Sequence, residues 1–265
     1  MKSLRSIVET FAADGGAFAI DADEDWAQGR TLYGGMTAAL AYEAVRRGLG
    51  DLGPLRSAQF TFIGPAAGRL RFTPTLLRKG RSSALVGVEC ASEEGAAARA
   101  TFVFAAARES KVAHDYLAMP KVAAPNDTAM SFRKEGGETR RGFWNNFETR
   151  LVAGGRLFDL DAPRPQFSVW TRMLEPDGVD PITGMLAIAD CLPPAAMVHF
   201  PQPAPISTVT WTVDVTRQLT TVAGWYLLHA TSDHSADGYS MQSMAMWNEA
   251  GEVLAVGRQA VAIFA

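Results

Sequence analysis

Three side chains in the C-terminal half of the chain, Asp190, Thr208 and Gln259, have types and order that could do chemistry together. Asp190 interrupts an apolar run, Thr183-Gly-Met-Leu-Ala-Ile-Ala-Asp190-Cys-Leu-Pro-Pro-Ala-Ala-Met197, which reads as one helix buried on nearly every side with the carboxylate in its middle. An ionised carboxylate in such a place costs roughly several kcal/mol unless donors or a cation surround it, so the protein must either satisfy Asp190 or use its perturbed acidity. An ionised Asp accepts a proton, while a Thr hydroxyl and a Gln amide can hold a water and leave its lone pair free. That combination suits general-base hydrolysis, in which a carboxylate activates water beside an electrophilic carbonyl. The resulting oxyanion needs backbone N–H groups, which a helix N-terminus supplies; Gly34-Gly35 and Gly184 are candidate places, because glycine admits close approach to backbone. The alternative for Asp190 is a structural carboxylate satisfied by nearby N–H groups. Thr208 alone is an ordinary strand former, whereas Gln259 in an apolar strand needs partners.

The elements that must position these groups come in two similar sets. In the first, residues 15–25 give a short strand ending in an acidic turn, and Gly34-Gly35 precedes a helix over Met36–Arg47, closed by Arg46 and Arg47 at its negative end and stopped by Gly48. Alternating strands follow over Ser57–Ile63 and near 69–77, 82–92 and 96–107. Residues 108–142 are polar, with prolines and charges, and read as a connector in which only Lys111–Leu117 has any helical character. The second set has strands over Phe143–Val152 and Gln166–Met173, the buried helix opened by Gly184-Met185, then strands near 207–213, 222–232, 238–247 and 252–264, with an Asn248–Gly251 turn between the last two. The predicted organisation is therefore α+β, two tandem helix-plus-antiparallel-sheet repeats at 1–107 and 143–265 joined by a linker at 108–142. Superposing the repeats on their Gly-Met helix starts and terminal strands puts Asp190 on Ala41, Thr208 on Ser57 and Gln259 on Ala100. Only the second copy carries the acid and the amide.

Composition excludes several classes of function. A net charge of −3 draws the chain neither to nucleic acid nor to anionic membrane, and no window approaches the ~18 apolar residues of a membrane span. Cys90 and Cys191 form no disulfide or zinc pattern and, with no signal-peptide run at the N-terminus, suit a reducing cytoplasm. The four histidines, His114, His199, His229 and His234, lack metal-ligand spacing. Gly48-Leu-Gly-Asp-Leu-Gly53 matches a dinucleotide fingerprint in letters but follows a helix and leads into a strand, the wrong order. Gly238-Tyr-Ser240-Met-Gln242 lacks the last glycine of a nucleophile elbow. Cys191 points about 100° from Asp190 on a helix, which argues against a Cys nucleophile. Arg69, Arg71, Arg78, Lys79 and Arg81 read as a solvated strand face, with contact to substrate phosphates as the alternative.

On Leu32-Tyr-Gly-Gly-Met, Ile-Ala-Asp190-Cys-Leu-Pro-Pro-Ala, Ile-Ser-Thr208-Val-Thr-Trp and Val-Gly-Arg-Gln259-Ala-Val, the chain resembles the acyl-CoA thioesterase II family over nearly its whole length. The resemblance implies a double hotdog, two antiparallel sheets each wrapping a central helix and continuous with one another. It implies an acyl-CoA substrate, a nucleophilic water held by Asp190, Thr208 and Gln259, no metal or redox cofactor, and association into a homodimer or larger. Two rivals remain at this stage: a hotdog hydratase or dehydratase, which needs a His on the helix or its approach, and a non-catalytic acyl-thioester-binding protein. Two departures from the family pattern bear on the site. Pro193-Pro194 must break or bend the helix soon after Asp190. Thr208 shares strand parity with Thr210 and Thr212, which turns it away from the helix unless a bulge re-aims it.

Overall fold

The computed structural model describes residues 1–128 and 142–264. A short helix α1 (Leu4–Thr10) leads into strands β1 (Ala12–Asp14) and β2 (Ala17–Asp21), then the two-residue ribbon of β3 (Ala27–Gln28) and β4 (Thr31–Leu32). Helix α2 (Gly34–Leu49) is followed by β5 (Leu55–Phe62), β6 (Arg69–Lys79), β7 (Ser83–Ser92) and β8 (Gly95–Ala105). The second half has β9 (Phe147–Gly154), β10 (Gln166–Met173), helix α3 (Pro181–Ala189), β11 (Ile206–Val215), β12 (Tyr226–Ala236), β13 (Tyr239–Asn248) and β14 (Val253–Ile263). Twelve strands form one antiparallel sheet in the order β1-β2-β6-β7-β8-β5-β11-β14-β13-β12-β10-β9. The halves join where β5 meets β11. The fold is α+β, a double hotdog.

The β5–β11 ladder pairs Thr61 with Thr210, Gln59 with Thr212 and Ser57 with Asp214, so a pseudo-twofold axis passes between Gln59 and Thr212. Under that axis Ser57 corresponds to Thr210. Each of these two strands also carries a bulge at the matching place, between Leu55 and Ser57 and between Thr208 and Thr210. Thr208 therefore corresponds to Leu55, and the flanking ladders make Gln259 the counterpart of Phe102. The sequence superposition onto Ser57 and Ala100 was two residues off in both strands, because the two halves differ in the length of the connections between these strands.

Both helices lie against the inner face of the sheet, within one apolar core that includes Met36, Leu40, Leu186, Ile188, Phe102 and Trp211. Helix α3 is buried at every residue from Ile182 to Ala189. Asp180 caps it, accepting from the N–H groups of Ile182 (3.0 Å) and Thr183 (3.1 Å), and Pro181 occupies its first turn. It is shorter than the sequence predicts: α3 ends at Ala189, Asp190 is its C-cap, and after Pro193-Pro194 a 3-10 turn spans Ala195–His199. The two prolines withhold the N–H groups that a continuing helix would need. Phe143–Asn146 is likewise a 3-10 turn, with β9 starting only at Phe147. Lys111–Leu117 forms no helix, and strand β12 begins at Tyr226 rather than near 222. Gly50 (φ +69°), not Gly48, ends α2, and Gly53 (φ +82°) turns the chain into β5.

The segment before the undescribed residues lies on the outer face of the second half. The indole N–H groups of Trp170 and Trp247 donate to the carbonyls of Ala123 (2.8 Å) and Leu117 (3.1 Å). Met119 and Val122 pack on the outer cluster of Trp170, Trp225, Leu227, Trp247 and Val253. This side of the sheet is apolar because the strap covers it.

Candidate active site

Asp190 stands where the end of one helix meets the start of the other. A hydrogen on Gly34 replaced by a Cβ would lie 2.6 Å from Asp190 Oδ2, and the carboxylate accepts from the Gly35 N–H. Tyr33, the N-cap of α2, makes no side-chain cap, so the carboxylate of α3 satisfies one of the unpaired amides at the start of α2. The Tyr33 hydroxyl in turn donates to the Ala187 carbonyl (2.6 Å), one of the open acceptors at the end of α3. At its other end α3 offers the Thr183 hydroxyl to Glu43 Oε1 of α2 (2.6 Å). The two helices thus run antiparallel, each closing the other's terminus.

Gln259 on β14 donates from Nε2 to Asp190 Oδ1 at 2.5 Å. Thr208 joins them through the bulge in β11. Thr208 pairs with Val261 and Trp211 with Gln259, and since Val261 and Gln259 lie on one face of β14, Thr208 and Trp211 lie on one face of β11 despite being three residues apart. Val209 is the extra residue that shifts the parity. Thr208 accordingly faces inward, where uninterrupted alternation would have turned it out. Asp190, Thr208 and Gln259 all line the same cavity.

Burial pushes the Asp190 carboxyl up from 3.8 to about 7, against the donors on Gln259 and Gly35, which favour the charged form. Desolvation wins because those donors are neutral and no cation touches the carboxylate among the described residues. An acid poised near neutrality is suited to take a proton from water and give it back.

The cavity, about 1020 Å³, lies between the halves. Leu32, Gly34, Thr37 and Phe62 contribute from the first half, and Phe147, Leu157, Leu192 and Met197 from the second. Its walls are largely apolar and aromatic, with the bonded pair Asp190 and Gln259 and the Thr208 side chain among the polar groups on them, the usual make-up of a small-molecule site. Pro193 and Pro194 are part of the wall, so the break after α3 shapes the cavity.

A fourth residue, Gln242 on β13, was passed over in the sequence. It is buried, pairs with Gln259 in the sheet, donates from Nε2 to Gln259 Oε1 (2.6 Å) and accepts the Ala195 N–H on Oε1 (2.9 Å). An amide amid Ser240, Met244 and Met246 is a signal of a kind. However, the β13–β14 hairpin has a bulge at Met246/Trp247. A regular ladder counted from Trp247↔Val253 would set Met241, not Gln242, opposite Gln259.

Other candidates fall elsewhere. Gly184 packs against Val222, and its N–H donates to the Asp180 carbonyl (2.9 Å), so it is not available to an oxyanion. The Gly35 N–H is committed to Asp190. Cys191 lines the cavity beside Asp190, but burial and that neighbouring acid push its thiol well up, keeping it protonated. Arg69 and Arg71 pair with Asp21 and Asp14, and none of the five basic residues of their cluster lines the cavity. His229 sits between Ser168 (2.9 Å) and Thr231 (3.0 Å), and His199 bonds the Ala162 carbonyl (2.8 Å); neither borders the cavity. Among the described residues no group of three or more His, Cys, Asp or Glu side chains could hold a metal ion.

Residues 22–105 match the family model of the acyl-CoA thioesterase N-terminal domain, and residues 121–263 that of the acyl-CoA thioesterase C-terminal domain. No curated protein matches the chain in sequence. Among solved structures, a hot dog-fold protein of unknown function from Alicyclobacillus acidocaldarius shares 24% identity at a TM-score of 0.87, over 100% of this chain and 99% of the other. The tesB protein of Mycobacterium avium subs paratuberculosis shares 17% at 0.79, over 98% of each chain. An acyl-CoA thioesterase II of Mycobacterium marinum shares 16% at 0.76, again over 98% of each.

Proposed function

Because the chain belongs to the acyl-CoA thioesterase family, we propose that it hydrolyses acyl-CoA to a free carboxylic acid and CoA by general-base activation of water, with Asp190 as the base and Thr208 and Gln259 holding the water. The observation that carries this assignment is the convergence of Asp190, Thr208 and Gln259 on one apolar cavity at the junction of α2 and α3. Gln259 has a second amide hydrogen beyond the one given to Asp190, and it is directed to the water oxygen. The water gives one hydrogen to Asp190 and the other to Thr208 Oγ1, which leaves a lone pair for the thioester carbonyl. As the O–C bond forms, its proton passes to Asp190. The negative charge on the carbonyl oxygen is met by the N–H of Gly34, at the positive end of α2 and on the cavity wall. Collapse of the intermediate breaks the C–S bond, and the Asp190 proton goes to the departing thiolate.

A hydratase is disfavoured by the same geometry, since no described histidine borders the cavity. The family also suggests that chains associate, which light scattering on the purified protein measures directly. The deciding experiment is thiol release from acyl-CoA esters of graded chain length. Hydrolysis of at least one ester well above the uncatalysed rate, lost in Asp190→Asn, is the expected outcome. Acyl-CoA bound but never hydrolysed would replace the enzyme with a binding protein.

A further inference from the structure

We infer that Gln242 is a positioning residue for this reaction: it fixes the Gln259 amide in the orientation that donates to Asp190, through a one-way hydrogen-bond relay anchored on the Ala195 backbone N–H. The inference rests on the assignment of Asp190 as the base and deepens it.

The relay has three links, Ala195 N–H to Gln242 Oε1 (2.9 Å), Gln242 Nε2 to Gln259 Oε1 (2.6 Å) and Gln259 Nε2 to Asp190 Oδ1 (2.5 Å). Its polarity follows from its ends. A backbone N–H can only donate, so the nearer end of Gln242 must be the carbonyl and the farther end the NH2 group. Gln259 must then present its carbonyl to Gln242 and its NH2 to Asp190. An ionised carboxylate, which can only accept, demands the same order from the other side. Flipping either amide sets acceptor against acceptor or donor against donor at two links, in a place where both glutamines are buried. Without Gln242 the ionised carboxylate alone orients Gln259, and that constraint lapses whenever Asp190 takes a proton.

The anchor is itself a product of the local sequence. Pro193 and Pro194 have no N–H, so Ala195 supplies the first free amide after the break, at the start of the Ala195–His199 turn. The double proline that ends α3 therefore also sets up the donor that polarises the relay.

A role in positioning predicts a change in the acidity of Asp190, which mere packing does not. The groups facing Asp190 are the Tyr33 hydroxyl and the Gly34 and Gly35 backbone at the start of α2, Cys191 beside it, Thr208 on β11 and Gln259 on β14. Tyr33 and Cys191 are both pushed well above their usual ranges and stay neutral, which leaves Asp190 to set the acid limb of the rate.

The test compares wild type, Gln242→Met and Gln242→Glu by pH profiles of thiol release and by carbon-13 NMR titration of the Asp190 carboxyl, assigned by its loss in Asp190→Asn. Gln242→Met keeps the volume and removes the amide. The expected result is an acid limb and an Asp190 titration both moved upward by about one pH unit, a tenfold loss of ionised base at pH 6, with KM unchanged. Gln242→Glu supplies the same acceptor and donor when protonated and only acceptors when ionised, so its activity relative to wild type falls as pH rises. A folded Gln242→Met whose limb and titration both superimpose on wild type overturns the relay and leaves hydrolysis standing. Should Gln242→Met fail to fold, a Gln242→Glu to wild-type ratio that is constant with pH overturns it equally. If wild type hydrolyses no acyl-CoA, the thioesterase assignment falls, and the NMR titration alone decides whether Gln242 controls Asp190.

Discussion

Asp190→Asn separates the two consequences of burying an acid. The carboxyl titrates near 3.8 in the unfolded chain and near 7 in the fold. Between those values the native state holds a proton that the unfolded state has released, so stability is highest in acid and falls as pH rises toward the folded value. Integrated for this one group from pH 5 to pH 8, the loss is roughly 2–3 kcal/mol. Asparagine cannot ionise and removes that slope. Its NH2 group also meets one of the two donors, Gln259 Nε2 or the Gly35 N–H, so the variant's stability at any single pH mixes relief with a new mismatch. The change with pH is free of that mixture, and the other titrating groups cancel in the difference. Urea unfolding of both proteins at pH 5, 6, 7 and 8 should show the variant gaining roughly 2–3 kcal/mol on wild type across the series. Its kcat should meanwhile drop by about two to four orders of magnitude, the usual worth of a general base. Parallel stability curves would refute a buried acid with raised pKa, and an unaltered rate would refute its role as the base.

Four further outcomes are expected. Wild-type kcat/KM should rise about tenfold between pH 6 and pH 8 as Asp190 ionises, and a flat profile contradicts a base with this titration. Gly34→Ala should lose most activity and lower Tm, because its Cβ would meet Asp190 Oδ2 at 2.6 Å and Phe62 at 3.1 Å; full activity with an unchanged Tm by calorimetry would mean the close approach is dispensable. Thr208→Val, nearly isosteric, should lose at least about tenfold in kcat with little change in Tm, while Thr208→Ser keeps most activity; equal rates for the two would remove the hydroxyl from the site. Glu43→Ala should cost about 3 kcal/mol in urea unfolding, at the low end for a buried ion pair because Arg46 stays partly solvated.

The fold was legible because its signals are periodic and repeated. Alternating strands, the Ala-rich helix after Gly34-Gly35 and the return of the same pattern after residue 142 sufficed for two helix-plus-sheet units, and observed strand limits lie within a few residues of the expected ones. What alternation cannot show is a bulge, since one extra residue leaves no mark in composition. For that reason alternation left the inward face of Thr208 conditional on a bulge, and Gln242 was not seen beside Gln259. The end of α3 was misplaced for a related reason. Apolar residues continue to Met197 because the 3-10 turn is as buried as the helix, so hydrophobicity alone ran past the break that Pro193-Pro194 announced. The three candidate residues were named from type and order, which survive such slips, and all three line one cavity.

On the proposed assignment, the pseudo-twofold explains why one of two similar halves would carry the chemistry. Each helix sends a carboxylate to the start of its partner, Asp190 to the amides of α2 and Glu43 to Thr183 of α3. The acids differ in what else touches them. Glu43 is fully buried and paired with two cations, Arg46 (2.8 Å) and Arg47 (3.1 Å). Among the described residues Asp190 has only neutral donors, which offset desolvation in part, and its affinity for a proton rises. The sheet makes the same distinction. Where Thr208 and Gln259 line a cavity, their counterparts Leu55 and Phe102 are buried apolar side chains that do not border it. On the proposed assignment a buried acid is a helix clamp beside arginine and a base beside glutamine, and the half with glutamine has the cavity that would hold the water.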